Sequence, residues 1–496
     1  MNGTTRGRTL AVIAVVVLLL ASAAAYVGLL LVQQELFTNG LPTTNPRAYP
    51  RGSADLAAAA AALARYWPLV TAVTGLYLVV LIVVRWGRVP AAGWIAVGAG
   101  IVGHLGLLLT RPGLSIDLYS YVAHGYLANQ PSSNPYLTPA GSAIDTPIGA
   151  ALVAQGWMPV HPQTPYGPLW THVESLAVAT AGSDVGLSAL LLKVVVTVAT
   201  IGTGLVAFAV AQRVRPGLGT LAAAAWLLNP VAVVEFGVEG HLDAVPILFT
   251  ALALLAALRG WGVVAVTSLA LATLTKYTPA VFGLAVLVML VRTIASKSRL
   301  VGELVLGVVL SAALAWLLWQ RWWAGPATLD GLRASTTPFP GPSPAGWLAS
   351  LWLDPYAYPP SMLPQLVLTG TVLVVVLAAS WGRSAAGWLA GCAVIAVTIL
   401  AVSPLYWPWY SALAIAVLAL RPTGGALACV AILTAGSRIA APWGDLSALG
   451  LVRFDEGAGL CMLAGLTGPV AACVVVALIA LLVGLVRRRT AVPIGS

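Results

Sequence analysis

Residues 9–32 read TLAVIAVVVLLLASAAAYVGLLLV, an uncharged run whose length settles the fold class. An α-helix rises about 1.5 Å per residue, so about 20 consecutive apolar residues carry a chain across the hydrocarbon of a bilayer. Arg6 and Arg8 stand in front of the run. It is longer than the roughly 7 to 15 apolar residues of a cleaved signal peptide and reads as a retained anchor. The stretch Ala21-Ser22-Ala23-Ala24-Ala25 keeps a processing site open.

Working outward, runs of the same kind recur near 68–84, 90–110, 186–211, 218–234, 243–258, 301–319, 365–381, 386–403 and 466–486. Four shorter ones, 261–274, 277–292, 409–420 and 425–437, leave room for half-helices whose ends protein or water must cover. The pattern predicts an all-α integral membrane fold, a polytopic bundle of about 12–14 transmembrane helices. Composition agrees, because only 8% of the 496 residues are charged, where a soluble domain carries roughly 25%. The net charge of +10 does not indicate nucleic acid, since the basic residues occupy short gaps rather than one exposed stripe. Cys392, Cys429, Cys461 and Cys473 lie in or beside apolar stretches without CxxC spacing, as buried thiols do.

Charge then orients the bundle, because short cytoplasmic loops hold the excess of Lys and Arg. With 14 spans and a cytoplasmic N-terminus, the inside gaps contain Arg6, Arg8, Arg85, Arg88, Arg213, Arg215, Arg259, Arg292, Lys297, Arg299, Arg383, Arg421 and Arg487 to Arg489, a majority of the 25 basic residues. By the same partition every acid except Glu303 falls outside or at the outer edge. The long segments 33–67, 111–185, 321–364 and 438–465 are outer as well, and long loops are usually functional or disordered. Lys193 and Glu303 are nearly the only ionisable residues inside a span, whereas a transporter would string polar groups through the midplane.

The informative residues lie in those outer segments. Asp117, in Ser115-Ile116-Asp117-Leu118-Tyr119-Ser120-Tyr121, follows the third span closely, which suits a general base for a substrate with a lipid tail and a reactive head at the interface. It equally suits the N-cap of an interfacial helix over Tyr119 to Ala128, with a second such helix over Ile148 to Gln155 and tyrosines at headgroup depth. Asn134-Pro135-Tyr136 and the run His161-Pro162-Gln163-Thr164-Pro165-Tyr166-Gly167-Pro168-Leu169-Trp170 form a rigid aromatic loop, because proline fixes φ. His172 and Glu174 follow it. Such a loop packs on sugar rings or merely seals helix ends.

The most compact polar cluster is Asn229-Pro230, Glu235 and Glu239-Gly240-His241-Leu242-Asp243, and ionisable groups at membrane depth are functional candidates by default. Its spacing is HxD rather than HExxH, so hydrogen bonds to sugar hydroxyls or a lipid phosphate, a metal site and a structural turn all remain readings. Lys276, beside Tyr277 and Pro279, either snorkels or neutralises a phosphate, with Arg333 and Arg321 able to complete a basic cradle. Tyr406-Trp407-Pro408-Trp409-Tyr410 is an interfacial belt or a substrate groove.

Taken in order, Asp117 to Tyr121, Asn134 to Tyr136, Thr164 to Leu169, Asn229-Pro230, Glu239 to Asp243, Lys276 to Pro279 and the Trp407/Tyr410 turn resemble the GT-C superfamily of polyprenyl-phosphate-sugar glycosyltransferases. The likeness covers roughly residues 105–420 and is nearest to the actinobacterial α-1,6-mannopyranosyltransferases of lipomannan. It implies a GT-C-like bundle with a large extracytoplasmic catalytic loop, and mannose moved with inversion from a polyprenyl-phosphate-mannose donor to a membrane glycolipid acceptor. The reaction would run at the outer face of the cytoplasmic membrane. Asp117 maps onto the base, with Lys276, His241 and Arg333 as candidates for neutralising the leaving phosphate. Tyr119, Tyr121, His161, Tyr166, Glu174, Glu239, Asp243, Tyr277, Trp407 and Tyr410 are the further candidate substrate contacts.

The family often shows an acidic pair where Asp117 is followed by Leu118, so a partner carboxylate would come from Glu174 or Glu239. No cofactor and no metal ligand set are assigned, with a divalent ion left open. The expected division is 1–110 as N-terminal helices, 111–185 as the catalytic loop, 186–420 as the core and 421–496 as C-terminal helices with a basic tail. A polyprenyl-phosphate-arabinose-dependent transferase and a lipid-linked sugar flippase are the competing functions.

Overall fold

The computed structural model describes residues 3–39, 56–87, 89–157, 162–336, 362–380, 382–403, 406–442 and 463–490, and these are helical with no strand among them. Among the described residues six helices, fewer than the 12–14 spans expected, are long and apolar enough to cross a membrane: Arg6–Leu36, Ala60–Gly87, Pro90–Leu109, Val185–Val214, Lys297–Trp319 and Ala385–Val402. Shorter apolar helices, including Ala244–Arg259, Gly262–Thr275, Pro408–Ala419 and Gly424–Ala440, fill the bundle between them. Leu10, Leu20, Val301, Val305, Val309 and Trp316 stand exposed along two of the long helices, an apolar surface that water would not tolerate and lipid does. The chain is a multi-pass membrane protein.

Helix ends follow from local chemistry. Asp184 accepts a hydrogen bond from the Leu187 amide (2.9 Å) to start α7 (Val185–Val214), and Ser296 caps α12 (Lys297–Trp319) through the Arg299 amide. Gly260, at φ +68°, ends α9 (Ala244–Arg259) in the left-handed region that favours glycine. The basic turns interlock at one end of the bundle. Arg213 donates to the Leu258 carbonyl, Arg299 to Gly260, Arg292 to Gly382 and Arg85 to Pro422. Glu303 sits at this same end, paired with Arg299 and accepting from the first amides of α10 (Gly262–Thr275).

The apolar run 218–234, expected as one span, is broken. Asn229 accepts from the Val231 amide (2.9 Å) and donates to Tyr77 and Thr434. Pro230 has no amide hydrogen to continue the helix. The chain bends by 58° between Gly219–Leu227 and Ala232–Val238, and the second piece is a π-helical turn, a form often met at functional sites.

Segment 111–185 contains α4 (Asp117–Asn129), α5 (Pro147–Ala154) and α6 (Pro168–Ala181). Interfacial helices were expected here, but α4 is buried almost throughout. It packs against α6 and α7, with Gly125 so close to the Glu174 backbone that a Cβ there would meet the carbonyl oxygen at 2.4 Å. Tyr119 and Tyr121 are therefore enclosed by protein rather than set at headgroup depth.

Arg438 departs from expectation too. The helix Gly424–Ala440 continues past the apolar run 425–437 and buries Arg438 completely, where the sequence suggested the start of an outer loop.

Candidate active site

Asp117 is the first residue of α4, after Ile116 as N-cap, and its amide donates to Ser115 Oγ (3.2 Å). Two clamps fix its approach. Lys193 of α7 reaches the carbonyls of Leu107 (2.8 Å) and Thr110 (2.7 Å), holding the end of the preceding helix. Glu239 accepts from the amides of Gly113, Leu114 and Ser115 at 3.1 to 3.2 Å, holding the loop between. A carboxylate gathering three backbone amides is a strong, charge-assisted arrangement. Glu239 thus places Asp117.

Gly240, at φ +73°, turns the chain between Glu239 and His241, and a Cβ there would press on Leu118 and Lys193 at 3.2 Å. His241 consequently faces the opposite way. Its Nδ1 lies 3.5 Å from Asp117 Oδ2 and its Nε2 3.2 Å from Glu235 Oε2. Neither nitrogen is aligned for a hydrogen bond in this state, and catalytic contacts often tighten only with substrate bound. Glu235, carried by the π-helical turn, is ion-paired to Arg438. Trp409 stacks on the His241 ring at 3.8 Å, and Trp407 is parallel to Trp409 at 5.4 Å.

A second polar pair adjoins the first. Lys276 Nζ lies 2.6 Å from Asp243 Oδ1 and sits over the Tyr410 ring at 4.7 Å, while Tyr410 meets Trp409 edge to face. The strap carrying Tyr166 is docked on the end of α10 by the Gly167 amide, which donates to the Thr275 carbonyl (2.9 Å). Only glycine fits there, because a Cβ would stand 2.1 Å from the Leu274 oxygen. Tyr277 donates to the Tyr166 carbonyl, and Tyr166, Tyr121 and Trp170 pack edge to face. Tyr166 lies within electrostatic reach of both Asp117 and Asp243.

Of the sequence candidates, Asp117, Tyr121, Tyr166, His241, Asp243, Lys276, Tyr277, Trp407 and Tyr410 come together, with Tyr119 and Glu239 in the wall behind them. Arg333 does not join them; it is exposed and paired with Asp330 (2.7 Å). Glu174 is fully buried beside His124 Nδ1 (3.9 Å), with His124 and Trp170 as its polar neighbours. Burial pushes the Glu174 carboxyl from 4.5 up to about 7, against the opposing pull of His124. His161 lies outside the described residues. Glu239, His241 and Asp243 diverge to three different partners, and among the described residues no group of three or more His, Cys, Asp or Glu is gathered as a metal site.

A carboxylate fixed beside a histidine, a cation held by a carboxylate, and a wall of tyrosine and tryptophan suit the deprotonation of a hydroxyl beside a sugar and a phosphate. Residues 9–293, more than half of the chain, match the family described as alpha-(1->6)-mannopyranosyltransferase, N-terminal domain. The chain belongs to that family. It is a glycosyltransferase of the mannosyl-transferring kind. No curated protein matches it. In this mannosyltransferase the matched region supplies Asp117, Glu235, Glu239, His241, Asp243 and Lys276, while Trp407, Trp409, Tyr410 and Arg438 enter from beyond it.

Reading the sequence alone gave no role to Arg438 or Lys193 and left Trp409 between an interfacial belt and a substrate groove. A lone arginine at the end of an apolar run, where charge is costly, was the signal for the first.

Proposed function

We propose that this mannosyltransferase moves mannose from a polyprenyl-phosphate-mannose donor to a hydroxyl of a membrane glycolipid of the lipomannan type, with inversion, at the outer face of the cytoplasmic membrane. The observation that carries the reading is the placement of Asp117, fixed by Glu239 and Lys193 beside His241 and next to the Lys276–Asp243 pair. The outer location is supported by the interlocked arginines at the other end of the bundle, which suit the cytoplasmic side. Segment 111–185 acts as the catalytic loop and 186–420 as the core that presents the remaining site residues.

Chemically, the acceptor oxygen forms a bond to the anomeric carbon as Asp117 takes its proton. The bond from that carbon to the phosphate oxygen breaks on the opposite face, and its electron pair stays on the phosphate. One displacement converts a β-linked donor to an α-linked product, as a base does when it activates the nucleophile opposite a leaving group. Lys276, kept charged by Asp243, neutralises the developing phosphate charge. Trp407, Tyr410, Tyr121 and Tyr166 give the sugar apolar faces to pack on.

The test supplies membranes with polyprenyl-phosphate-mannose or polyprenyl-phosphate-arabinose and digests the product with linkage-specific α-mannosidases. A mannose-dependent, α-1,6-linked product is expected. Incorporation from the arabinose donor alone would overturn the donor assignment.

A further inference from the structure

The family match ends at residue 293, yet the helix Gly424–Ala440 touches the site twice. Arg438 is fully buried, and its Nη2 is bonded to Glu235, whose other oxygen faces His241. Its neighbour Ser437 donates to the Pro408 carbonyl (2.7 Å), between Trp407 and Trp409, and Trp409 is the ring stacked on His241. The same turn of helix therefore holds His241 along its edge through Glu235 and across its face through Trp409. Tyr66 Oη, from Leu56–Gly87, anchors this turn at the Arg438 carbonyl (3.0 Å).

A buried guanidinium is costly, and lipid would not reward it. Arg438 Nη2 also donates to Ser437 Oγ (3.3 Å), and among the described residues the one carboxylate paired with the guanidinium is Glu235. Glu235 turns its other oxygen to His241, which in turn adjoins Asp117. Arg438, Glu235, His241 and Asp117 thus form a chain of successive contacts from the bundle interior to the base.

We propose that Arg438 is a positioning residue for mannosyl transfer, acting through Glu235 to orient His241 against Asp117. The inference rests on the reading of Asp117 as the base. Orientation of a base enters the rate of the bond-making step, and a misplacement of about 1 Å costs on the order of 10²-fold. Donor and acceptor contact Lys276 and the aromatic wall, so their KM values are expected to hold.

The test uses the purified full-length protein, polyprenyl-phosphate-mannose labelled in the sugar, and an alkyl α-1,6-dimannoside as acceptor. Arg438→Met with Glu235→Gln removes both charges together and leaves none stranded. Arg438→Lys keeps a cation for Glu235 but not the guanidinium that reaches it, and serves if the double variant does not fold. Either folded variant is expected to lose about 10- to 100-fold in kcat with both KM values within about threefold of wild type. A kcat equal to wild type in a folded variant overturns the role of Arg438 while leaving the reading of the site intact. Absence of transfer by the wild type overturns the site reading, and this inference with it.

Discussion

Glu174→Gln is expected to make the protein more stable at pH 8 and no more stable at pH 5. The native carboxyl is fully buried, and burial raises its pKa from 4.5 to about 7 against the opposing pull of His124 and Trp170. The folded state therefore holds a proton between those values that the unfolded chain releases. Stability from this group is complete below pH 4.5 and is lost as pH rises through 7, at about 1.4 kcal/mol per pH unit. By pH 8 the loss amounts to about 3 kcal/mol, a factor of roughly 10² in the folded-to-unfolded ratio. Glutamine keeps the shape and never ionises, so the difference between the two proteins isolates residue 174. Cys392, Cys429 and Cys473 are buried and free, so a thiol-reactive dye reports unfolding in detergent during a thermal ramp. Wild type should fall behind the variant progressively between pH 5 and 8. Parallel curves across that range would refute the reasoning.

Three further substitutions probe the site's construction. Glu239→Ala strands the amides of Gly113, Leu114 and Ser115 and is expected to cost about 3 kcal/mol, read as a lower unfolding temperature together with lost transfer. Gly167→Ala puts a Cβ 2.1 Å from the Leu274 oxygen, so the strap must move; a loss of about 1 to 3 kcal/mol and of activity is expected by the same assays. Lys276→Met should lower kcat/KM for donor by about tenfold or more, with Lys276→Arg restoring part of it in initial-rate measurements.

Hydropathy made the longest spans legible because lipid imposes one dominant rule on every crossing helix, but it counted more of them: of the 12–14 expected, six among the described residues are long and apolar enough. The residues Asp117, His241, Asp243 and Lys276 were legible as well, since charges near membrane depth are rare enough to mark themselves. Their partnerships were not. Glu239 reads as a substrate contact beside His241, but its ligands are amides more than 120 residues earlier, brought near only by folding. The bend after Leu227 escaped the apolar count because it depends on what the Asn229 side chain bonds, and hydropathy sees no hydrogen bonds. The tyrosines of α4 suggested an interface because they are amphipathic, whereas α6 and α7 cover them. Arg438 was assigned to a loop because an arginine ordinarily ends an apolar run; Glu235, 203 residues away, is what permits it inside.

The central claim is that Asp117 deprotonates the acceptor. The most direct test is transfer of labelled mannose from polyprenyl-phosphate-mannose to endogenous glycolipid in membranes carrying wild type or Asp117→Asn at matched expression. General-base catalysis contributes about 10²- to 10⁴-fold, so transfer by wild type and a loss of at least 10²-fold in the variant are expected. Equal transfer by both proteins would contradict the assignment of the base and remove Asp117 from the mechanism.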